Sequence, residues 1–255
     1  MTGPVLSGLS MDVGGVSSEA PPHVCFGLPT YSGKFDVAEF EKSLGETEAL
    51  LKSRGWKVSA EVVPGDCYIQ RARNTIAERF YRSDATDLFF LDDDIGWPAE
   101  AVLKLLELPD DIAFGVYPLK RDDESYPVVV KTDPLGYPVV REDGMIAAHM
   151  APAGFLRIKR FAIGKLRALN PHLRYEEYDE EGRLTGSAFD LFPQGAEKGR
   201  WWGEDAGFCR LWEKHGGKLW CAPDIDFVHV RRDGKRFHGN YHRFLLNRPR
   251  HDAAA

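Results

Sequence analysis

Cysteine is scarce in this 255-residue sequence and never occurs as a C-x-x-C pair. The four cysteines are Cys25, Cys67, Cys209 and Cys221, and they stand far apart along the chain. Such spacing argues against a structural zinc site. We expect free thiols, as in a reducing compartment, and the predicted location is therefore the cytoplasm.

Long apolar runs are missing as well. No stretch approaches the roughly 20 apolar residues that a membrane-spanning helix needs. The first twenty residues lack a basic segment followed by an apolar core, so they do not resemble a signal peptide. We expect residues 1–22 to be a mobile leader, residues 23–251 to form a single domain, and residues 252–255 to be a tail that resembles a vector-derived scar.

An overall positive charge is also absent, because the formal net charge is −6. General attraction to nucleic acid or to an anionic membrane is therefore not expected. The C-terminal end differs: residues 229–251 contain seven Lys or Arg and one Asp, a net charge of +6. This asymmetry indicates an anionic ligand at that end, and a solvated basic tail is the alternative.

The first half of the sequence alternates between apolar runs and segments with helical spacing of apolar residues. Gly55 is a natural end for the first helix, and Pro98 suits the start of the third. The alternation predicts an α/β fold whose first half is parallel and nucleotide-binding. Predicted strands cover residues 23–28, 57–63, 87–91 and 112–116, and predicted helices cover 37–54, 69–82 and 99–106.

After Tyr117 the pattern changes to shorter strands and turns. Residues 174–203 are polar and poorly periodic, which predicts a long functional loop. We therefore expect a mixed central sheet and a second half that is more antiparallel than the first. The predicted elements are a hairpin of 127–131 and 137–141, strands at 145–150, 155–158, 218–221 and 227–230, and helices at 161–169 and 204–215.

Three consecutive carboxylates, Asp92, Asp93 and Asp94, directly follow the apolar run 87–91. Their mutual repulsion is relieved by a divalent cation, since hard cations prefer carboxylate oxygens. Ligands in open α/β sheets also bind at the carboxyl ends of strands. Acids at a helix N-terminus are the alternative, but the next predicted helix begins too late for that. The pattern favours a metal site.

Two further clusters contain residues suited to chemistry. Trp201 and Trp202 precede Glu204 and Asp205, and this combination suits a sugar, with aromatic faces for the ring and a carboxylate for a hydroxyl proton. Acidic capping of a helix beside buried tryptophans explains the same pattern equally well. His229 ends an apolar run; a structural role is the more common one, although imidazole often joins carboxylates at transition metals.

The order of these segments resembles the GT-A family of glycosyltransferases, especially its compact bacterial and phage-encoded members. The resemblance extends from about Val24 to Asn240, nearly the whole predicted domain. One departure is Val230-Arg231, where the family usually has a glycine after the metal histidine. The matching segments are Pro29-Thr30-Tyr31, Arg73-Asn74, Leu91-Asp92-Asp93-Asp94, Gly115-Val116-Tyr117-Pro118, Ala153-Gly154-Phe155, Glu204-Asp205 and His229.

The resemblance implies a GT-A-like fold and a metal-dependent hexosyl- or pentosyltransferase that uses a nucleotide-sugar donor, most often a UDP- or GDP-sugar. The cofactor would be Mn²⁺ or Mg²⁺, and Asp205 would act as base with Glu204 positioning the acceptor. The residues implied by the resemblance are Asp92, Asp94 and His229 for the metal, Pro29, Thr30, Tyr31, Arg73, Asp92 and Asp93 for the donor, and Gly154, Trp201 and Trp202 for the acceptor.

The acceptor stays open at this point: a glycan, a lipid-linked saccharide, a protein or a modified DNA base. The basic tail keeps an anionic or DNA acceptor among these. A nucleotidyltransferase is the first alternative function, although Gly27-Leu28-Pro29-Thr30 is not the Gly-rich phosphate loop that such enzymes usually have. A non-catalytic nucleotide- or carbohydrate-binding module is the second, and the intact acids argue against it.

Overall fold

The computed structural model describes residues 21–179 and 181–247. Residues 1–20 of the predicted leader, the predicted tail and the end of the basic segment lie outside the described residues. No helix within the described ranges is long and apolar enough to cross a membrane. The cytoplasmic location and the predicted domain limits stay predictions.

Helices and strands alternate along most of the described chain, and a short 3₁₀ helix lies at Pro171–Leu173. The helices are α1 (Ala38–Ser53), α2 (Ile69–Arg82), α3 (Ala99–Leu106), α4 (Arg160–Leu169), α5 (Glu204–Lys214) and α6 (Tyr241–Asn247). The strands are β1 (His23–Thr30), β2 (Lys57–Pro64), β3 (Asp87–Leu91), β4 (Ile95–Gly96), β5 (Ile112–Gly115), β6 (Val129–Val130), β7 (Ile146–Met150), β8 (Phe155–Lys159), β9 (Arg174–Tyr178), β10 (Leu184–Phe189), β11 (Gly195–Glu197), β12 (Arg200–Trp202), β13 (Leu219–Ala222), β14 (Asp226–Val230) and β15 (Arg236–Asn240).

An eight-stranded sheet in the order β2-β1-β3-β8-β5-β13-β7-β6 forms the centre of the fold. Strand β1 pairs in parallel with both β2 and β3, while β8 lies antiparallel between β3 and β5. Strand β13 is parallel to β5 and antiparallel to β7. The predicted α/β class with a mixed central sheet is therefore confirmed.

Strand β3 shows how this sheet separates two hydrophobic cores. All five of its residues are buried. Leu88 and Phe90 belong to a core with apolar residues of α2, α4 and α5, whereas Phe89 and Leu91 belong to a second core with α1 and α3. Successive residues of a strand point to opposite faces, so a continuous apolar run is what a strand covered on both faces requires.

Most predicted elements are confirmed within one or two residues, because they have a local apolar pattern and several end at a Gly or Pro. The predicted second arm of the hairpin, 137–141, is not a strand and makes isolated bridges only. Pro134 and Pro138 remove backbone donors there, and the Asp133 carboxylate accepts hydrogen bonds from the Leu135 and Tyr137 amides at 2.9 Å.

The prediction of one long loop over 174–203 is wrong. The segment contains two antiparallel pairs, β9 with β10 and β11 with β12. A third small sheet, β15-β14-β4, holds the strand that ends near His229 against the residues that follow the acidic triplet. These elements bring the late part of the chain to the carboxyl end of β3.

Candidate active site

A cleft of about 440 Å³ opens at the carboxyl ends of β1 and β3. Because these strands are adjacent and parallel, the residues that follow them meet at one edge of the sheet. All six predicted donor-binding residues line this cleft, together with Asp94 and Glu204. The lining residues are Pro29, Thr30, Tyr31, Val63, Asp66, Cys67, Ile69, Ala72, Arg73, Asp92, Asp93, Asp94 and Glu204.

Arg73 lines the bottom of the cleft with only 3% of its surface exposed. Its Nη2 donates to Asp92 Oδ1 at 2.9 Å, its Nη1 donates to the Ala153 carbonyl at 3.3 Å, and its Nε lies 3.5 Å from Glu204 Oε1. Burial opposes the charge, but the carboxylates of Asp92 and Glu204 outweigh it and raise the Arg73 pKa. Arg73 thus joins the two acidic clusters from below.

We expect Arg73→Met to lower the free energy of unfolding by about 2 kcal/mol, because it leaves two partly buried carboxylates without their shared cation. Urea denaturation at neutral pH measures this loss. Arg79→Met in the same helix is the matched control, since Arg79 pairs with Glu61 at the surface and its loss is expected to cost less than about 1 kcal/mol. Equal losses in the two variants would contradict the bridging role of Arg73.

Gly154 supports Asp92 from the neighbouring strand. The Asp92 amide donates to the Gly154 carbonyl at 3.0 Å. A Cβ atom at position 154 would overlap with the Asp92 carboxylate and the Tyr117 hydroxyl, so only glycine allows this approach. Gly154, predicted to bind the acceptor, therefore lies against the donor-side acid.

Asp93 and Asp94 have opposite electrostatic environments. Burial, followed by repulsion from Asp94 and Asp92, raises the pKa of Asp93. Burial also disfavours the ionised form of Asp94, but hydrogen bonds with His229 and Lys120 outweigh it and lower the Asp94 pKa. The acidic triplet thus contains one carboxylate that is held ionised beside one that resists ionisation.

His229 is oriented toward Asp94 by the backbone. Its Nδ1 lies 2.8 Å from the Pro118 carbonyl, which can only accept, so Nδ1 donates. The other ring nitrogen, Nε2, then faces Asp94 Oδ1 at 3.3 Å. An imidazole nitrogen and a carboxylate oxygen at this distance are stabilised by a proton or by a cation between them. Neighbouring ligand atoms of one octahedral Mg²⁺ ion are also about 3 Å apart.

A complete protein-built metal site is not seen. Within the described residues, no group of three or more His, Cys, Asp or Glu side chains is placed to hold an ion. Asp92, predicted as a metal ligand, is engaged by Arg73, and the ammonium of Lys120 contacts Asp94. Asp94 and His229 fit an ion that takes its other ligands from a bound diphosphate or water.

Glu204 and Asp205 begin α5 on the other side of the cleft. Glu204 lines the cleft and faces Arg73, while Asp205 Oδ1 accepts from the Ala206 amide at 2.6 Å. Burial, followed by repulsion from Glu204, raises the pKa of Asp205. A carboxylate with a raised pKa is a stronger base than an ordinary one, as proton abstraction from a hydroxyl requires.

The two predicted acceptor-binding tryptophans lie apart from the cleft lining. Trp201 is 69% exposed. Trp202 lines a second cavity beside α5. Both tryptophans nevertheless directly precede Gly203 and Glu204. The chain therefore passes within three residues from the second cavity, at Trp202, to the cleft, at Glu204.

Most of the basic charge in the described part of the C-terminal segment, residues 229–247, is paired inside the protein. Four of its cations contact carboxylates: Arg231 contacts Asp233, Lys235 contacts Asp122, Arg236 contacts Glu39 and Arg243 contacts Asp226. Arg232 has no carboxylate partner among the described residues. Its guanidinium carbon lies 5.8 Å from the ring centroid of Tyr31, which is 75% exposed at the cleft.

Several site residues escaped the sequence reasoning. Lys120, Asp66 and Cys67 carry no motif of their own, and Arg232 was counted only as part of a basic segment. Tyr117 was noted within the Gly-Val-Tyr segment, and its hydroxyl lies 3.4 Å from Asp92 Oδ2. The sequence signal for Tyr117 is its position as an aromatic residue shortly after a buried strand.

Comparisons with known proteins give similarity at the level of the fold. No protein-family model matches the sequence, and no characterised protein matches it in sequence. The crystal structure of A197 from STIV aligns with 86% of this chain and 94% of its own, at 16% identity and a TM-score of 0.50.

Two further solved structures align less well. GalNAc-T7, crystallised with UDP, GalNAc and Mn²⁺, aligns over 84% of this chain and 45% of its own, at 11% identity and a TM-score of 0.45. S. aureus TarS 1-349 aligns over 78% of this chain and 57% of its own, at 11% identity and a TM-score of 0.39. The GT-A-like fold predicted from the sequence is confirmed as a fold, and at these identities the alignments show nothing of the activity.

Proposed function

We propose that this chain is a metal-dependent glycosyltransferase that transfers a hexosyl or pentosyl group from a UDP- or GDP-sugar to an acceptor hydroxyl. The observation that supports it most is the single cleft that unites the end of β1, the acidic triplet after β3 and Glu204 at the start of α5. Such a cleft offers a nucleotide surface and a cation position in one site, and Asp205, the proposed base, directly follows Glu204.

The donor nucleotide is proposed to bind along Pro29, Thr30 and Tyr31. The exposed Tyr31 ring offers a flat face for the base, and the unpaired Arg232 beside it offers charge-assisted hydrogen bonds to phosphate oxygens. Arg73 is too buried for direct contact with phosphate. Its proposed role is to hold Asp92 toward the donor.

Asp94 and His229 are proposed to hold Mn²⁺ or Mg²⁺ together with the donor diphosphate, with Asp92 facing the same space. When bound, such an ion neutralises the charge that develops on the departing nucleoside diphosphate. Lys120, which contacts Asp94, and Arg232, beside Tyr31, are proposed to contact the same leaving group.

Asp205 is proposed to accept the proton of the acceptor hydroxyl. Its raised pKa suits that task, and Glu204, held by Arg73, is proposed to position the acceptor. A base placed in this way contributes about 10²–10⁴-fold to the rate.

Calorimetric titration with UDP-, GDP- and dTDP-sugars, each with and without Mn²⁺, tests the proposal. We expect one nucleotide series to bind with a strong dependence on Mn²⁺, followed by slow release of free sugar and nucleoside diphosphate. A nucleotidyltransferase would instead form or consume pyrophosphate. Nucleotide-sugar binding with neither transfer to an acceptor nor hydrolysis by water would identify a binding module.

Two adjacent arginines provide a matched test of the donor site. We expect Arg232→Gln to weaken UDP binding about tenfold, because an unpaired guanidinium beside the cleft is lost. Arg231→Gln removes the same charge one residue earlier but from a pair with Asp233. Calorimetry should find its UDP affinity within about twofold of the parent. Equal effects of both substitutions would mean that only net charge matters.

A further inference from the structure

A second cavity, of about 450 Å³, lies between the β11–β12 hairpin and α5. Its lining includes Trp202 from the hairpin and Gly207, Arg210 and Lys214 from the helix. It shares no lining residue with the donor cleft. Its lining contains the donors of Trp202, Arg210 and Lys214 against the one carboxylate of Glu197, which suits an oxygen-rich ligand.

Two guanidinium groups converge on the indole of Trp202. The guanidinium carbons of Arg200 and Arg210 lie 4.2 and 4.1 Å from its ring centroid. Arg210 also contacts the Glu197 carboxylate, while Arg200 and Lys214 have no carboxylate partner among the described residues. Glu197 also lines the cavity and balances Arg210, whereas Lys214 in the lining and Arg200 on the Trp202 ring are left for an anionic ligand to balance.

The indole N–H of Trp202 supplies a second, independent observation. Its Nε1 is buried and has no hydrogen-bond acceptor among the described residues. Buried tryptophan N–H groups usually find an acceptor, and one left without a partner is disfavoured. A ligand oxygen in the cavity that Trp202 lines would satisfy it.

Helix α5 connects this cavity to the proposed active site. Glu204 in its first turn lines the cleft, whereas Gly207, Arg210 and Lys214 line the cavity. Residues spaced by three or four share one face of a helix, so a ligand along this face lies near Glu204. The position suits the acceptor and not the nucleotide.

We propose that this cavity binds a phosphate or carboxylate group on the acceptor, so that the acceptor is an anionic saccharide. This inference rests on the proposed function, which it extends to the acceptor class. A volume of about 450 Å³ accommodates a sugar with one charged group. A saccharide is favoured over nucleic acid because the chain as a whole has a formal charge of −6.

Calorimetry without nucleotide, using glucose 6-phosphate and glucose as probes, tests the proposal. We expect glucose 6-phosphate to bind at least about tenfold more tightly, and inorganic phosphate to compete with it. Arg200→Gln and Lys214→Gln should each weaken glucose 6-phosphate binding about five- to tenfold. Trp202→Phe, which removes the N–H and keeps an aromatic ring, should weaken it severalfold.

Lys218→Gln is the control, because it removes the same charge from an exposed lysine outside the cavity, and it should leave the affinity unchanged. UDP binding with Mn²⁺ should be unaffected by Arg200→Gln, which separates this cavity from the donor cleft. Equal binding of glucose and glucose 6-phosphate, or an Arg200→Gln variant with parental affinity, would overturn the proposal. So would salt-sensitive binding of a single-stranded oligonucleotide without binding of the sugar phosphate, which would indicate a nucleic-acid acceptor.

Discussion

Asp94→Ala is expected to abolish the Mn²⁺-dependent part of UDP binding, with a loss of affinity of about 10²-fold or more. Asp94 is the acid of the triplet that faces His229, and the lowered pKa keeps it ionised. Neither neighbour replaces it, because Asp92 is engaged by Arg73 and the pKa of Asp93 is raised. Calorimetric titration of UDP with and without Mn²⁺ measures the loss.

The control for this substitution is Asp224→Ala. Asp224 is an exposed acid that pairs with Lys104 away from the cleft, and its removal should leave UDP binding as it was. Circular dichroism and thermal unfolding should show that the Asp94 variant is folded. If that folded variant bound UDP with the parental Mn²⁺ dependence, Asp94 would not be a metal ligand.

Asp205→Asn is expected to lower kcat by about 10²-fold or more while UDP affinity changes little. A base with a raised pKa loses activity as the pH falls through that pKa, so the parent protein should show an acidic limb in kcat that the variant lacks. Glu204→Gln should have a smaller effect on kcat and a larger one on the acceptor KM, as expected of a positioning residue.

The thermal stability of the Asp205→Asn variant is a second measurement, and it is not expected to fall as kcat does. Because burial and Glu204 raise the pKa of Asp205 in the folded state, its ionised form opposes folding at neutral pH. Removing that charge should leave Tm unchanged or increase it. A lower Tm with full activity would instead identify Asp205 as a helix-capping residue that holds the Ala206 amide.

The parts of the fold that were predictable from sequence have a local signal. Strand β3 was predicted correctly because four consecutive apolar residues stand between Asp87 and Asp92, and α2 because its buried residues recur at helical spacing. Strand β9, Arg-Tyr-Glu-Glu-Tyr, was missed because its outward residues are charged and its pairing partner β10 lies beyond an intervening turn. Exposed hairpins of this kind are specified by the pairing of their two strands. The residue pattern along one strand does not show that pairing.

The site residues that could be predicted are those that belong to a short local sequence pattern. The acidic triplet and the Pro-Thr-Tyr loop could be assigned to one edge of the sheet because both follow buried strands. The role of Arg73 could not, since the sequence shows a cation but not the two carboxylates that surround it from β3 and α5. Lys120 was missed for the same reason: it reaches Asp94 from a loop 26 positions away.

The contact between Lys120 and Asp94 bears on the order in which ligands arrive. An ammonium group already balances the carboxylate that a divalent ion would use, so the ligand-free protein gains little from binding such an ion alone. A nucleotide diphosphate changes this, because its oxygens offer the ion additional ligands and give the displaced lysine a new anionic partner. We therefore expect ion and nucleotide to enter together. Chelators should then leave the resting protein's thermal stability untouched, and donor concentration, more than that of the free ion, should set how often the site is filled.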